Sequence, residues 1–418
     1  MKTLREPFES SVATLGVQYE DSGRSYSYSK YLIREGNAIY NSLTSEAVLL
    51  EDEKKDRNEL LRRWFLVPEG YDVLTASDMI RQRLVAKQKG PGGSLKTNYV
   101  IFTTTACNAS CSYCFENGYK ILTMSDAVAE DVGDYIIRSH APKVNIKWFG
   151  GEPLVNKKAI DIVTSKITGK VDFRSAMSSN GDLFGECSNE DLKRWKLKRV
   201  QFTLDDSGSN YDVIKGLKDG AYLRLKETVA RLGELGIVVQ LRIHYNPDVG
   251  PEPCFKIIED FKDFKNVRMY SRILYDKATI DNYKVLLRIE DEILNTGKGY
   301  LTLPKRASGN NCMGDNPHVA CITPEGKLSL CEHYAYGDYM YGSIYSRTTD
   351  KGLLDKWSVK EKYQSSNCRE CPIYPICRKL TMCPAEGKCS DGYQYYQIET
   401  IKRALRKKVE EVNGGILN

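Results

Sequence analysis

The cysteines constrain this chain more than any other feature, because they are clustered. There are 13 of them against 4 histidines, and none precedes Cys107. Three lie in Cys107-Asn-Ala-Ser-Cys111-Ser-Tyr-Cys114, two are isolated (Cys187 and Cys254), and eight lie between Cys312 and Cys389. Such a load means disulfides, zinc or iron–sulfur clusters. An odd number cannot pair fully. The N-terminus, MKTLREPFESSV, has no apolar core of signal-peptide length, so no secretory route is indicated. No run approaches the ~18 apolar residues of a membrane span. A cytoplasmic location is expected, and clustered cysteines there act as metal ligands. The low histidine count weakens any His-based zinc or general-base site.

Composition supports an ordinary globular chain. Apolar residues are 41% and charged ones 28% of 418 residues, enough for a core and for several domains. Lys plus Arg is 61 and Asp plus Glu 55, a net charge of +6. That excess is too small and too evenly spread to argue for nucleic acid.

Residues 1–92 form an N-terminal α+β region. Tyr26–Leu50 alternates around Glu35-Gly36-Asn37, which predicts a hairpin. A charged helix over about 52–64 and a short stretch Trp64–Pro68 come next. Lys89–Ser94 (KGPGGS) is a linker. Residues 95–300 alternate strand and helix, with strands expected at 98–105, 143–149, 171–177, 199–205, 237–244 and 266–274. Thr123 with Asp126, and Ser188 with Asp191, have capping-box spacing. A helix over 222–235 ends at Gly236. Six β-α repeats imply an α/β fold with a parallel sheet, open or curled into a partial (β/α)6 barrel, with chemistry at the strands' C-terminal ends. Residues 305–395 are cysteine-rich with little periodicity, as in a small domain held by metal clusters. A polar-faced helix over 394–411 runs into the tail, 396–418, and is expected to dock on the barrel. There are no internal repeats.

The first cysteine loop directly follows the first barrel strand. Three thiolates at these spacings can converge on one face of a four-iron cubane, leaving one iron for a small chelating ligand; a zinc site or unrelated thiols are the alternatives. The second strand ends in Gly150-Gly151-Glu152-Pro153, where glycines permit close backbone approach and Glu152 suits a cationic amine. The third ends in Ser178-Ser179-Asn180-Gly181 and the fourth in Thr203-Leu204-Asp205-Asp206. Arg242 on the fifth alternates with Leu241 and Ile243. Turned inward it suits a carboxylate; turned outward it is merely solvated.

The second group runs Cys312-x13-Gly326-x4-Cys331, then Cys368-x2-Cys371-x5-Cys377-x5-Cys383-x5-Cys389, with Cys321 inside the first part. Eight cysteines are the ligand count of two closed cubanes. Zinc ribbons are the alternative, since Cys368-x2-Cys371 alone would suit one. Cys321 is either a ligand or a strand residue before the Pro324-Glu325-Gly326 turn. Glu332, beside Cys331, is a candidate base; His333, Tyr334 and Tyr336 are lesser candidates. Cys187 and Cys254 read as structural thiols. His140, His244 and His318 carry no specific signal.

In this order, the CxxxCxxC loop with an aromatic before its third cysteine, the GGEP, the SNG and the T-L-D resemble radical S-adenosylmethionine enzymes over about residues 97–275. The resemblance implies that Cys107, Cys111 and Cys114 hold a [4Fe–4S] cluster whose fourth iron is chelated by S-adenosylmethionine. It implies Tyr113 beside the adenine and Glu152 at the amine next to Gly150 and Gly151. Ser179 and Asn180 would share that rim, Thr203 and Asp205 would lie near the ribose, and Arg242 would contact the carboxylate. Asp206 stands where the family usually has Gly. A 5′-deoxyadenosyl radical, made by reductive C–S cleavage, would abstract hydrogen from substrate.

The C-terminal pattern resembles the SPASM extension of that family, with a longer gap between Cys377 and Cys383. By order, Cys312, Cys331 and Cys383 fall to a first auxiliary [4Fe–4S] cluster, closed by Cys321 or left open for a substrate thiolate. Cys368, Cys371, Cys377 and Cys389 fall to a second. In sulfatase-maturing relatives a carboxylate at the position of Glu332 acts as a base. The SKY…YNSLTSE stretch resembles the segment before the radical domain in maturases of ribosomally made peptides. These resemblances imply a precursor peptide as substrate and a thioether or carbon–carbon/aryl crosslink as product. They also imply a small reductase or flavodoxin-like electron donor, with no nucleic-acid or membrane partner. Formylglycine formation is the alternative reaction, and a zinc-ribbon binding protein the alternative class.

Overall fold

A computed structural model of the chain describes residues 1–16, 25–89, 95–274, 277–305, 312–333, 339–346, 348–358, 368, 370–377 and 389–414. The expected linker lies almost wholly outside the described residues, as do Cys383, Tyr334 and Tyr336.

The N-terminal region holds β1 (Lys2–Arg5), α1 (Glu9–Leu15), β2 (Tyr26–Tyr28), β3 (Leu32–Glu35), β4 (Ala38–Asn41), β5 (Glu46–Leu49), α2 (Glu53–Arg62), β6 (Leu66–Pro68) and α3 (Val73–Lys89). Its main sheet runs β1-β5-β4-β3, and β2 pairs with β6. The expected hairpin is β3–β4, turning at Gly36 with φ +55°. Asp52 caps α2 by accepting from the Lys54 and Lys55 amides. One sheet face buries Ile39 and Val48 against Leu60, Leu61 and Phe65. The other buries Ile33, Tyr40 and Ala47 against Ile401, Ala404 and Leu405 of the last helix.

The central unit alternates as expected: β7 (Asn98–Thr104), α4 (Asp126–Arg138), β8 (Lys143–Gly150), α5 (Lys157–Ile167), β9 (Asp172–Ser179), α6 (Asn189–Arg194), β10 (Leu197–Leu204), α7 (Gly208–Lys215), α8 (Ala221–Glu234), β11 (Val238–Tyr245), α9 (Glu252–Phe261), β12 (Val267–Ile273) and α10 (Ile280–Asn295). β7 to β12 are parallel and ordered by sequence. Their outward residues, including Ile101, Trp148, Phe202 and Ile243, are buried among the helices. Their inward residues are largely polar. That is why these strands alternate, whereas a parallel sheet covered on both faces gives continuous apolar runs. Ser188 and Asp191 form the expected capping box of α6. The other capping assignment is corrected: Ser125 caps α4. Thr123 bridges to Thr104 instead, which spends its hydroxyl on the strand.

The sheet does not stop at residue 300. β13 (Val319–Ile322) lies parallel to β7, and β14 (Lys327–Ser329) and β15 (Met340–Ser343) continue it antiparallel, giving nine strands. Strands of three or four residues are too short to show periodicity. α11 (Lys351–Ser358) comes after them, and α12 (Asp391–Gly414) closes the chain. α12 packs on α10 and on the N-terminal sheet. Arg403 pairs with Glu290 (3.1 Å) and Asp291, and Tyr396 donates to Glu290 (2.5 Å). Among the described residues no helix is long and apolar enough to cross a membrane.

Gly392, in the first turn of α12, fits because a Cβ there would meet the Ala278 carbonyl oxygen at 2.0 Å. Gly392→Ala is expected to lower unfolding free energy by about 1–3 kcal/mol, the usual cost of overpacking, measured by urea denaturation.

Candidate functional site

The C-terminal ends of β7 to β11 meet at one rim, and the cysteine loop sits on it. Cys107, Cys111 and Cys114 are free thiols. The loop is held from several sides. Ser110 N donates to the Lys215 carbonyl (2.8 Å), Cys114 N to the Cys111 carbonyl (3.1 Å), and Asn180 Nδ2 to Asn108 Oδ1 (2.8 Å) and toward Cys107 Sγ (3.8 Å). Burial pushes the Cys107 thiol up to about 11 and also raises Cys114, so a proton must leave each sulfur when it binds a metal.

The two glycines of the next strand end have a steric reason. Gly150 has φ +134°, and a Cβ there would strike the Thr104 carbonyl oxygen at 2.0 Å; at Gly151 it would strike the Ala106 oxygen at 2.5 Å. The strand end therefore lies directly against the backbone that launches the cysteine loop. Glu152 is fully buried. It accepts from Leu154 N (3.2 Å), Ser179 Oγ (3.0 Å to each oxygen) and Asn180 N (2.8 Å). Burial raises it to about 7 against those hydrogen bonds. Glu152 thus ties the end of β8 to the end of β9.

A four-residue network lies beneath Tyr113. Lys215 Nζ stands 2.7 Å from Asp205 Oδ2, with both side chains 4% exposed. Tyr113 OH donates to Asp205 Oδ2, Lys215 donates to Tyr113 OH, and His244 Nδ1 lies 2.7 Å from Asp205 Oδ1. The His244 ring meets Tyr113 edge-on at 5.4 Å. Burial would raise the Asp205 carboxyl, but His244 and Lys215 outweigh it and hold it well below the usual range. Burial lowers His244 despite Asp205, so the ring is neutral and Nδ1–H is the donor. Thr203 lies opposite Arg242 in the β10–β11 register. Arg242 is half-buried beside Tyr270 and His244, and its Nε is buried without a hydrogen bond. It takes the inward of its two readings.

The C-terminal cysteines form two groups. Cys312 is exposed, with its amide on Asp315 (3.0 Å), and Cys331 is half-buried at the end of β14. Cys321 sits in the middle of β13, opposite Val100 and Ser329, fully buried with Phe102 and Phe149. Cys368, Cys371 and Cys377 lie on successive turns, Cys371 N donating to the Cys368 carbonyl (3.2 Å) and Cys377 N to the Tyr374 carbonyl (3.2 Å). Cys371 is raised to about 11, first by burial and then by Cys377 and Cys389. Glu332 reaches back to the barrel, 3.5 Å from Lys147 Nζ; burial raises Tyr270, Cys321 and Glu116, and the nearby Glu332 adds to each shift. His333 packs on Phe115 with ring centroids 4.4 Å apart. Cys187 and Cys254 are buried, donating toward carbonyls of Leu183 and His244. His140 and His318 touch none of these groups; His318 Nδ1 contacts the Leu95 carbonyl.

Among the described residues no three ligating side chains converge tightly enough for a single ion. A cubane spreads its cysteines over a larger polyhedron, and the donor set of three free cysteines on one fixed loop fits one. The sequence reading missed Lys215, His244 and Glu116. Strand alternation, which puts His244 on the face of Arg242, would have found the second. Nothing local marks the others.

The buried pair yields a prediction with a sign. A carboxyl depressed by folding stabilises the protein above its unfolded value of about 4, and that stability is lost as pH falls toward the folded value. Lys215→Met should cost about 3 kcal/mol at pH 7. The gap to the parent chain should narrow below about pH 4, as followed by fluorescence-detected urea unfolding.

Residues 101–263 match the model of the radical SAM superfamily. The chain is 22% identical to the radical SAM cyclopropyl synthase TigE of Paramaledivibacter caminithermalis, over 79% of this chain and 77% of that one. The structure of anSMEcpe with bound AdoMet covers 76% of this chain and 99% of its own at 16% identity, with a TM-score of 0.57. Streptococcus suis SuiB bound to the precursor peptide SuiA covers 85% and 95% at 14% identity, with a TM-score of 0.53. The cysteine loop, its rim and these matches agree: residues 101–263 form a radical SAM domain, and the chain shares the fold of the maturase structures.

Proposed function

We propose that this chain is a radical peptide maturase that installs a crosslink in a ribosomally made precursor. The observation that carries the reading is the course of the nine-stranded sheet. β13 pairs with β7, and the segment after Cys331 meets the barrel mouth, with Glu332 3.5 Å from Lys147 Nζ and His333 on Phe115, the residue after Cys114. Substrate chemistry and an electron acceptor would then adjoin one cavity. SuiB, a structure of this fold, is bound to a precursor peptide, which favours a peptide here. TigE, a cyclopropyl synthase by name, favours bond formation within the substrate.

In this reading Cys107, Cys111 and Cys114 hold the radical cluster. Cys312, Cys331 and Cys383, with or without Cys321, hold one auxiliary cluster, and Cys368, Cys371, Cys377 and Cys389 the other. With S-adenosylmethionine the reduced cluster supplies a deoxyadenosyl radical. The protein's own work is to bind, orient and exclude water. Tyr113 flanks the adenine, with its ring fixed by Asp205, Lys215 and His244. Thr203 and Asp205 face the ribose. The Arg242 Nε, which lacks a hydrogen bond, takes the carboxylate. Gly150, Gly151 and Glu152, braced by Ser179 and Asn180, shape the amine pocket. Glu332, held over the cavity by Lys147, accepts a proton from the substrate at its carboxylate. The route is a cytoplasmic one, fed by a small reductase or flavodoxin-like donor.

The test is anaerobic incubation with the peptide encoded by the neighbouring short reading frame, followed by mass spectrometry. The product should be lighter by the hydrogens lost in each linkage. A colourless protein holding zinc and no iron would overturn the reading. Cys107→Ala should abolish deoxyadenosine formation from S-adenosylmethionine, and substantial formation by that variant would count against the first cluster. Glu332→Gln should still form deoxyadenosine but lose most of its product, at least about a hundredfold, the lower end of a general base's contribution. An unchanged product yield would remove Glu332 from the mechanism.

A further inference from the structure

The barrel interior carries a charge pattern that the radical reaction does not require. Alternation along β8 to β12 turns Lys147, Arg174, Arg199, Arg242, Arg268 and Arg272 to the inner face. The acids there do not match them. Asp205 is neutralised by Lys215, Glu332 faces Lys147, and Glu290 is engaged by Arg403. At the floor, Asp172 pairs with Lys143 at 3.5 Å. Among the described residues the five arginines make no ion pair.

The same face encloses space. One cavity of about 330 Å³ is lined by Asn98, Asn145, Lys147, Arg199, Gln201 and Gln240, with Met313, next to Cys312, in its wall. A second of about 450 Å³ shares Gln240 and takes in Arg268, Tyr270 and Arg272. Both are of ligand-binding size. The carboxamides can donate to and accept from a peptide backbone. The cations, gathered on one concave wall, concentrate anions.

We propose that this interior is a specificity site for an acidic peptide segment, with Asp or Glu side chains of the substrate lying against Arg199 and Arg272. The proposal deepens the maturase reading and rests on it. It names the class of residue that must flank the site of hydrogen abstraction. Arg242 is left for the carboxylate of S-adenosylmethionine, and Gln201 and Gln240 hold the peptide backbone between the charges.

The experiment measures fluorescence anisotropy of two dansylated probes, Gly-Glu-Gly-Glu-Gly and Gly-Gln-Gly-Gln-Gly, on reconstituted holoenzyme. The acidic probe should bind about tenfold tighter, and salt should erase the difference as exposed charges are screened. Arg199→Gln, and separately Arg272→Gln, should weaken the acidic probe about fivefold, as for a partly exposed ion pair, and leave the neutral probe unmoved. Lys193→Gln removes the same net charge from an exposed position on α6 and should change neither. Equal affinity for the two probes overturns the proposal. So does equal weakening by Arg199→Gln and Lys193→Gln, which would trace the attraction to overall charge. Displacement of the acidic probe by GTP at lower concentration than by unlabelled peptide overturns it in favour of a nucleotide. Deoxyadenosine formation is read in parallel. Selective acidic binding without it confirms the site while sinking the radical reading.

Discussion

The rim of the barrel depends on one buried ion pair. Asp205 and Lys215 are each 4% exposed, and removing two charges from water costs several kcal/mol per ion unless other bonds compensate. Here they do. Asp205 also accepts from His244 and Tyr113, and Lys215 also donates to Tyr113. The network joins the end of β10, the end of β11, the last turn of α7 and the residue before Cys114. Lys215 further offers its carbonyl to Ser110 in the cysteine loop, and a Cβ on Gly216, at φ +60°, would strike Ser110 Oγ at 2.0 Å. The cysteine loop is therefore built against the same short helix that neutralises the Asp205 carboxylate. Loop geometry and pocket electrostatics cannot vary separately.

Much of this is legible in the sequence, and the exceptions share a cause. All six expected strands lie within two residues of their observed ends, because each buries an outward apolar face at period two. The cysteine loop, GGEP and SNG are legible because a rim at the strand ends forces chemistry into short contiguous motifs. The residues that escape detection meet across long sequence distances. Lys215 reaches Tyr113 across 102 residues and Glu116 meets Glu332 across the barrel mouth. No local pattern encodes such pairs. The misplaced cap is a local failure of another kind. Thr123 has the spacing for a capping box, but its hydroxyl is taken by Thr104, and a competing tertiary bond outranks propensity.

β13 matters more than its four residues suggest. It turns a cysteine-rich stretch with little apolar content into part of the barrel wall. The sheet supplies the burial that the stretch lacks, with Cys321 among Val100, Phe102 and Phe149. Cys321 points to the inner face, the side from which Glu332 meets Lys147. As a ligand it would set the first auxiliary cluster into the barrel wall. As a strand residue it would leave an iron open toward the same cavity. Either arrangement would put a cluster beside the cavity, so the proximity that the proposed crosslinking needs would follow from strand pairing.

The charge of the chain shows the same conversion of sequence spacing into place. A net excess of six, from 61 basic and 55 acidic residues, says little when read along the chain. Strand alternation changes that. Arg174, Arg199, Arg242, Arg268 and Arg272 are scattered over about a hundred residues, yet parity and the parallel register gather them on one concave surface. The acids that would balance them sit largely on helices and outer rims, where ion pairs such as Lys158–Asp126 and Lys284–Asp281 are exposed and worth little. On that concave surface the fields of like charges add. The fold thus gathers the arginines of a nearly neutral composition on one concave face, and the proposed selectivity would be set by which strand face each arginine occupies.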